Sequence, residues 1–302
     1  MVMPSTSERS ASATGPVALV LGAGGIKGWA HAGVLKVLHE AGVPIDLIVG
    51  ASAGALMGPL YAARRDAAEA ERVALSFTST EFLEWFLRDL RVSPRGGRMG
   101  RRLWQTYGRL DFQELAVPFV AIALEVATGQ RLAPTGRGEP PYDQSGLALR
   151  EGNVGRAVEA SIRPPLLTRP IQKDGRLLVD GGLHNALPVH VALEAGPRLV
   201  IAVNVGQFYT LPPRWRPWSA RVAKACRRAK PASVASQVAF MAGLLATGHA
   251  ERPRADIEIR PDLRGISANW PWHSRQAVRR GELAARQALP EIRRLLGEAA
   301  VP

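Results

Sequence analysis

The stretch from residue 46 to residue 60, DLIVGASAGALMGPL, constrains the fold of this chain most strongly. Residues 47–49 are an apolar run typical of a buried parallel strand, and the small and aliphatic residues that follow favour a helix. The chain must turn sharply between them, with Ser52 at the apex. Gly50 and Gly54 leave room where strand and helix cross, so the G-x-S-x-G spacing suits an exposed nucleophile. The competing interpretation is a small-residue turn that contains a serine by chance.

A glycine-rich loop precedes this turn. An apolar run at 17–21 predicts a first strand, which leads into Gly22-Ala-Gly-Gly-Ile-Lys-Gly28 and then into a helix at 29–41. The order strand, loop, helix, strand, turn, helix predicts parallel strands joined by crossovers, with functional loops at their carboxyl ends. We therefore expect the glycine loop and Ser52 at the same edge of one sheet.

The remaining elements continue the alternation of strands and helices. We predict strands at 118–126, 177–179 and 199–205, helices at 66–77, 81–90, 153–162, 190–195 and 276–296, and a loop at 132–151. This pattern favours an α/β fold with a mostly parallel central sheet covered on both faces.

Composition limits the domain organisation and the cell compartment. A chain of 302 residues with 46% hydrophobic and 22% charged residues is typical of a globular protein, and we favour one large domain. We expect a disordered tail at 1–15, a core at 16–206, and a basic, helix-rich region at 207–302 packed on the same domain. The single Cys226 excludes an internal disulfide and favours a reducing, cytoplasmic compartment.

A serine hydroxyl is a weak nucleophile, so Ser52 needs a base and hydrogen-bond donors for the oxyanion. The candidate donors are the backbone N–H groups of Gly24, Gly25 and Ile26 at a helix start, and that of Ala53 after the serine. A dinucleotide site is disfavoured, because a strict G-x-G-x-x-G fails and no acidic residue closes the second strand. No clustered His, Cys or carboxylate spacing suggests a metal, so we expect no cofactor.

The sequence offers two kinds of residue as the base, an aspartate and a histidine. Asp180 follows a predicted strand, and Gly181 and Gly182 after it allow close approach to another loop. An ordinary Asx turn is the competing interpretation of this aspartate. A Ser-Asp-His order also stays open, because four histidines follow Asp180 in the chain: His184, His190, His249 and His273. We expect His31 to be a packed helix residue instead.

Three motifs, taken in order, resemble the patatin-like phospholipase family. They are LGAGGIKGWAHAGVL at 21–35, GASAG at 50–54 and VDGGLHNALP at 179–188, and the resemblance covers about residues 17–206. It implies a three-layer α/β/α fold and a Ser-Asp dyad without histidine, in which Ser52 is the nucleophile and Asp180 the proton acceptor. It further implies that residues 24–28 form the oxyanion hole, with Gly28 in the motif and Lys27 at the family's basic position.

The sequence departs from the family pattern in two places. Ala23 stands where the motif usually begins with glycine, and a methyl group is expected to fit. In the segment that leads to Asp180, three residues replace small or aromatic ones, and this segment is expected to shape the acyl site: Arg163, Leu166 and Thr168.

The resemblance implies a lipid acyl hydrolase, either a phospholipase or lysophospholipase or a carboxylesterase, that works through an acyl-enzyme. The alternatives are an acyltransferase on the same fold, a Ser-Asp-His esterase, and a non-catalytic lipid-binding scaffold. A formal charge of +13 and seven basic residues at 214–230, with Trp215 and Trp218 among them, favour contact with an anionic membrane surface. A solvated helix packed on the domain is the competing interpretation. Nucleic acid is disfavoured, because no nucleic-acid-binding module is recognisable.

Overall fold

The computed structural model describes residues 15–76, 105–125, 147–164, 168, 170–173, 175–183, 185–206, 254–266 and 273–297. Within them the strands form one sheet: β1 Val17–Leu21, β2 Leu47–Ala51, β3 Phe119–Glu125, β4 Leu147–Leu149, β5 Ile171–Lys173, β6 Arg176–Asp180, β7 Leu199–Val203 and β8 Ile257–Ile259. The predicted helix at 81–90 and the basic segment at 214–230 lie outside the described residues.

Six α-helices accompany this sheet in the described part of the chain. They are α1 Ala30–Glu40, α2 Ala53–Ala62, α3 Ala68–Ser76, α4 Val154–Ser161, α5 Val189–Leu193 and α6 Ser274–Leu296. Short 3-10 helices lie at Gly25–Trp29, Phe112–Glu114 and Gly181–Leu183. None of these helices is both long enough and apolar enough to span a membrane.

The sheet is mixed and mostly parallel, as predicted. Its strand order is β5-β6-β3-β2-β1-β7-β8, with β4 also paired to β3. The path from β3 to β8 is parallel throughout, whereas β4 and β6 pair antiparallel with β3 and β5 pairs antiparallel with β6. Leu21 of β1 is in register with Gly50 of β2, so the glycine loop and the Ser52 turn leave the same edge of the sheet. That prediction is confirmed.

The sheet is covered on both faces, which gives the three-layer arrangement. Side chains of a strand point alternately to its two faces. Val17, Leu19 and Leu21 accordingly lie in a large apolar cluster with residues of α1, α2, α3, α4 and α6. Ala18 and Val20 lie in a smaller cluster with residues of α5.

The long helix α6 packs directly on α1 through two glycines. A Cβ atom on Gly33 would lie 2.0 Å from the carbonyl oxygen of Val278, and a Cβ on Gly281 would lie 2.0 Å from that of Ala30. The two backbones are therefore in contact, and no larger residue fits at either position. Thus α6 packs against the first helix of the core. The domain boundaries given above stay a prediction.

Three short strands were absent from the sequence-based expectations, and one of them, β5, lies where no element was predicted. β4 lies inside the segment predicted to be a loop, and β8 lies in the region predicted to be rich in helix. Each has three residues, which is too short for a two-residue alternation to stand out from its surroundings. Pairing with the longer β3, β6 and β7 stabilises them instead.

Candidate active site

Ser52 forms the whole turn between a strand and a helix. β2 ends at Ala51 and α2 begins at Ala53, and Ser52 between them has φ 52° and ψ −114°. A positive φ is unfavourable for a residue with a Cβ, and such strained residues are common at functional sites. This is the backbone geometry expected of a serine held out above a sheet edge.

The two flanking glycines are required by close backbone contacts. A Cβ atom on Gly50 would lie 2.6 Å from the carbonyl carbon and oxygen of Gly54. A Cβ on Gly54 would lie 1.9 Å from the carbonyl oxygen of Leu21 in β1. The G-x-S-x-G spacing therefore follows from the crossing of α2 over β1 and β2.

Asp180 lies beside Ser52 at the end of β6, a strand that runs antiparallel to β3. β2 makes its last pair with β3 at Ala51 and Ile122, and Asp180 at the end of β6 pairs with the next residue, Ala123. Because Ile122 and Ala123 are adjacent in β3, the strand pairing brings the end of β2, and with it Ser52, close to Asp180. Ser52 Oγ donates a hydrogen bond to Asp180 Oδ2 at 2.7 Å, across 128 positions of sequence.

The Asp180 carboxylate is nearly enclosed, with 7% of the residue exposed. Its second oxygen, Oδ1, accepts the N–H of Gly182 at 2.8 Å. Burial raises the pKa of Asp180 to about 6, while the hydrogen bonds from Ser52 and Gly182 oppose that rise. The group is therefore ionised at neutral pH and is a stronger base than an exposed aspartate.

Close packing also accounts for the two glycines after Asp180. A Cβ on Gly181 would lie 2.4 Å from the carbonyl oxygen of Ile122, and one on Gly182 would lie 2.3 Å from the Cβ of Ala23 and 3.2 Å from that of Ser52. Ala23, which replaces the motif's usual glycine, therefore fits against a residue that has no side chain. The three predicted segments meet at this point.

The glycine loop is anchored at its start and leaves donors available further on. The N–H of Gly22 donates to Val203 O at 3.0 Å, and that of Ala23 to Ala186 O at 2.7 Å. No described residue accepts a hydrogen bond from the N–H of Gly24. The other three predicted donors open helices, where N–H groups have no intrahelical acceptor, and they are Gly25 and Ile26 of the 3-10 helix and Ala53 of α2.

Gly28 brings this loop onto the residue after the nucleophile, since a Cβ there would lie 2.2 Å from the Cβ of Ala53. Lys27 comes directly before Gly28 in the loop, and its own N–H donates to Gly24 O at 3.2 Å. Within the described part of the chain, no carboxylate pairs with the Lys27 ammonium group.

No histidine among the described residues hydrogen-bonds to Ser52 or Asp180. His31 is fully buried, and its Nε2–H donates to Gly22 O at 2.7 Å. Burial lowers the pKa of His31 to about 4, although the bond to Gly22 opposes the shift, so the ring is neutral. His190 accepts the amide N–H of Asn185 at 3.0 Å, and His273 is exposed. His184 and His249 lie outside the described residues.

Ser161 is a site residue that the sequence patterns did not identify. Its Oγ accepts the backbone N–H of Ser52 at 2.9 Å and donates to Ile122 O at 2.6 Å. Two positions on, Arg163 O accepts the N–H of Asp180 at 2.9 Å. A serine at the end of an amphipathic helix carries no local signal for such contacts, since its partners are 109 and 39 positions away.

This fold and this site define an α/β protein with a serine elbow and an aspartate partner at the edge of a mostly parallel sheet. Residues 19–193 match the family model of the patatin-like phospholipase, and the chain belongs to that family. The predicted family is thereby confirmed.

Three relatives illustrate the similarity. The human patatin-like phospholipase domain-containing protein 6 is 34% identical over 202 residues, which are 63% of this chain and 13% of the relative. Neuropathy target esterase sws of Drosophila melanogaster is 31% identical over 63% of this chain and 13% of its own. An uncharacterized NTE family protein of Mycobacterium tuberculosis is 30% identical over 90% of this chain and 46% of its own. The chain thus spans a small part of the first two relatives and under half of the third.

Proposed function

We propose that this protein is a lipid acyl hydrolase that uses Ser52 and Asp180 as a catalytic dyad. The observation that carries the proposal is the 2.7 Å hydrogen bond from Ser52 Oγ to a buried carboxylate. Because burial raises the pKa of Asp180 to about 6, this carboxylate is both ionised and basic enough near neutral pH to accept a proton.

In the first half of the proposed reaction, Ser52 Oγ attacks the ester carbonyl carbon while its proton passes to Asp180 Oδ2. The carbonyl oxygen becomes an oxyanion, which accepts hydrogen bonds from the N–H groups of the glycine loop and Ala53. One such donor contributes about 3 kcal/mol to transition-state stabilisation. When the tetrahedral intermediate collapses, the ester bond breaks, and the leaving alcohol takes the proton from Asp180. An acyl group remains on Ser52.

In the second half, water attacks the acyl carbonyl and gives its proton to Asp180. The same donors hold the second oxyanion, and its collapse releases the fatty acid as Ser52 Oγ takes the proton back. One carboxylate thus serves both steps, and Ser52 and Asp180 return to their starting protonation states. No third side chain is needed for the proton balance.

The names of two relatives support an ester of a lipid as substrate. One is called an esterase in Drosophila melanogaster, and another, 29% identical over 67% of this chain, is called a lysophospholipase in Mycosarcoma maydis. We propose phospholipids or lysophospholipids as the substrate class, with Lys27 near the anionic head group. The same acyl-enzyme would also allow transfer to an alcohol, and analysis of products formed with an added alcohol separates the two outcomes.

We also propose that this protein is cytoplasmic and contacts anionic membrane surfaces through residues 214–230. The formal charge of +13 and the basic composition of this segment support the proposal. Binding to vesicles that contain anionic lipid is expected to weaken as salt rises, and to weaken further in a variant with Arg227→Gln and Arg228→Gln. Binding that is indifferent to both changes would remove the proposal.

Turnover of short and long acyl esters by wild type, Ser52→Ala and Asp180→Asn tests the catalytic proposal. Both variants should lose activity by about 10⁴-fold, because one lacks the nucleophile and the other lacks the base. Asp46→Asn is the matched control. Asp46 precedes β2 and accepts the N–H of Val17 at 2.9 Å, at the opposite end of that strand from Ser52.

The control variant should keep wild-type turnover. Full activity in Asp180→Asn, together with loss of activity in a variant of His184 or His249, would replace the dyad with a triad. An inactive wild type with all lipid and ester substrates would favour the scaffold alternative.

A further inference from the structure

We infer that Ser161 is a positioning residue that fixes the Ser52 elbow through the backbone amide of the nucleophile. Resting on the proposed function, the inference assigns a further residue to that site. Ser161 is the last residue of α4, its side chain is fully buried, and it lies 109 positions after Ser52.

The hydrogen bonds of Ser161 fix the direction of its hydroxyl group. A serine hydroxyl has one proton to donate and lone pairs that accept. The proton is directed to Ile122 O at 2.6 Å, so a lone pair faces the N–H of Ser52 at 2.9 Å. Ser161 therefore connects the turn after β2 to the backbone of the neighbouring strand β3.

The bond matters because the Ser52 backbone is strained. A residue at φ 52° keeps that conformation only if its surroundings hold it there. The peptide N–H of Ser52 is part of the same dihedral, so an acceptor fixed to β3 restricts rotation about the N–Cα bond. Oγ of Ser52 is carried by that backbone, so its 2.7 Å contact with Asp180 depends on the same restraint.

The same short segment also supports the partner of the nucleophile. Arg163 O accepts the N–H of Asp180 at 2.9 Å. The guanidinium of Arg163 pairs with Glu159 one helical turn earlier, and both side chains are largely buried. Residues 161–163 thus contact the backbones of Ser52 and Asp180, which sets the distance between the two.

The alternative is that Ser161 only satisfies the buried carbonyl of Ile122, and so contributes to stability without affecting reactivity. The two roles predict different measurements. If Ser161 only stabilises the fold, Ser161→Ala lowers the melting temperature and leaves kcat per folded molecule unchanged. If Ser161 positions the nucleophile, Ser161→Ala lowers kcat, leaves KM nearly unchanged, and speeds hydrogen exchange of the Ser52 amide.

The experiment compares wild type, Ser161→Ala and Ser161→Thr, which restores a hydroxyl. Ser76→Ala is the matched control, because the Ser76 hydroxyl donates to Val73 O at 3.0 Å within α3. Two quantities are measured on folded protein: kcat and KM with a soluble ester, and the hydrogen-exchange rate of the Ser52 amide. If Ser161→Ala does not fold, Ser161→Cys replaces it, since a thiol is a weak donor and acceptor.

Ser161→Ala is expected to lower kcat by about 10- to 100-fold, with KM within about twofold of wild type, and to speed exchange of the Ser52 amide by about tenfold or more. Ser161→Thr should recover most of both, and Ser76→Ala should change neither. Unchanged kcat, or unchanged exchange of the Ser52 amide, in Ser161→Ala would overturn the inference. If wild type turns over no ester, the proposed function fails separately, and the exchange rate alone decides whether Ser161 holds the elbow.

Discussion

Ser52 and Asp180 form one hydrogen-bonded pair, yet the chain holds them in different ways. The serine lies in a strained turn between adjacent elements, where Gly54 packs so closely on Leu21 that no side chain fits at position 54. The aspartate ends a short antiparallel strand and depends on distant partners, among them Ala123 of β3 and Arg163 O. Close steric fit, together with the hydrogen bond from the Ser52 N–H to Ser161, therefore governs the first region, whereas burial and the hydrogen bonds of the carboxylate govern the second.

The difference has an energetic consequence. Placing a serine at the elbow strains the backbone. Burying Asp180 until 7% of the residue is exposed removes water from its charged carboxylate, which also costs free energy. Substitutions should therefore act through shape in the serine region and through pH in the aspartate region.

The largest effect is expected from Gly54→Ala. Its new methyl group would lie 1.9 Å from Leu21 O, and a backbone atom in a central strand cannot move away. We expect the free energy of unfolding to fall by more than about 3 kcal/mol, measured by urea denaturation. Gly42→Ala is the control, with φ 69° and no atom within 4 Å, and it should cost only about 1 kcal/mol of backbone strain. Equal losses in the two variants would contradict a steric cause.

Asp180→Asn should stabilise the protein at about pH 8. Asparagine can keep both contacts without a buried charge, because its Oδ1 can accept the N–H of Gly182 while its Nδ2–H donates to Ser52 Oγ. Folding raises the pKa of Asp180 from 3.8 to about 6, so the gain can reach about 3 kcal/mol. Between about pH 4 and pH 6 the folded wild type holds a proton that the unfolded chain has released.

Wild-type stability from this group therefore rises as the pH falls through that window, and the advantage of Asp180→Asn should disappear near pH 4. Denaturation of both proteins at the two pH values measures this trend. A variant less stable than wild type at about pH 8 would argue that the carboxylate stabilises the fold.

The pH dependence of kcat/KM should follow the same group. Because protonated Asp180 cannot accept the serine proton, activity should fall about tenfold for each pH unit below a midpoint of about 6. Initial rates with an uncharged ester measure this profile. A midpoint near 4 would place the base in an exposed setting instead.

The smallest effect is expected from His31→Gln. His31 is also buried, but its bond goes to Gly22 O and not to the dyad. A glutamine amide can donate a similar bond, so we expect a loss of stability of about 1 kcal/mol and no change in the midpoint of the kcat/KM profile. A shifted midpoint would mean that His31 takes part in the titration of the site.

The contrast also explains what the sequence could predict. The elbow was predictable, because strand, glycines, serine and helix are adjacent in the chain. Asp180 was identified through its resemblance to a family motif, since a D-G-G turn by itself does not reveal which strand it joins. Ser161 and the strand β8 were missed because their roles arise only when segments tens of residues apart come together.

The rate at which a fluorophosphonate labels Ser52 measures whether Asp180 activates this serine. This reaction requires the serine proton to leave but needs no knowledge of the natural lipid. We predict that labelling at neutral pH slows by about 10²- to 10⁴-fold in Asp180→Asn, while Asp46→Asn labels like wild type. Labelling of Asp180→Asn at the wild-type rate would contradict it.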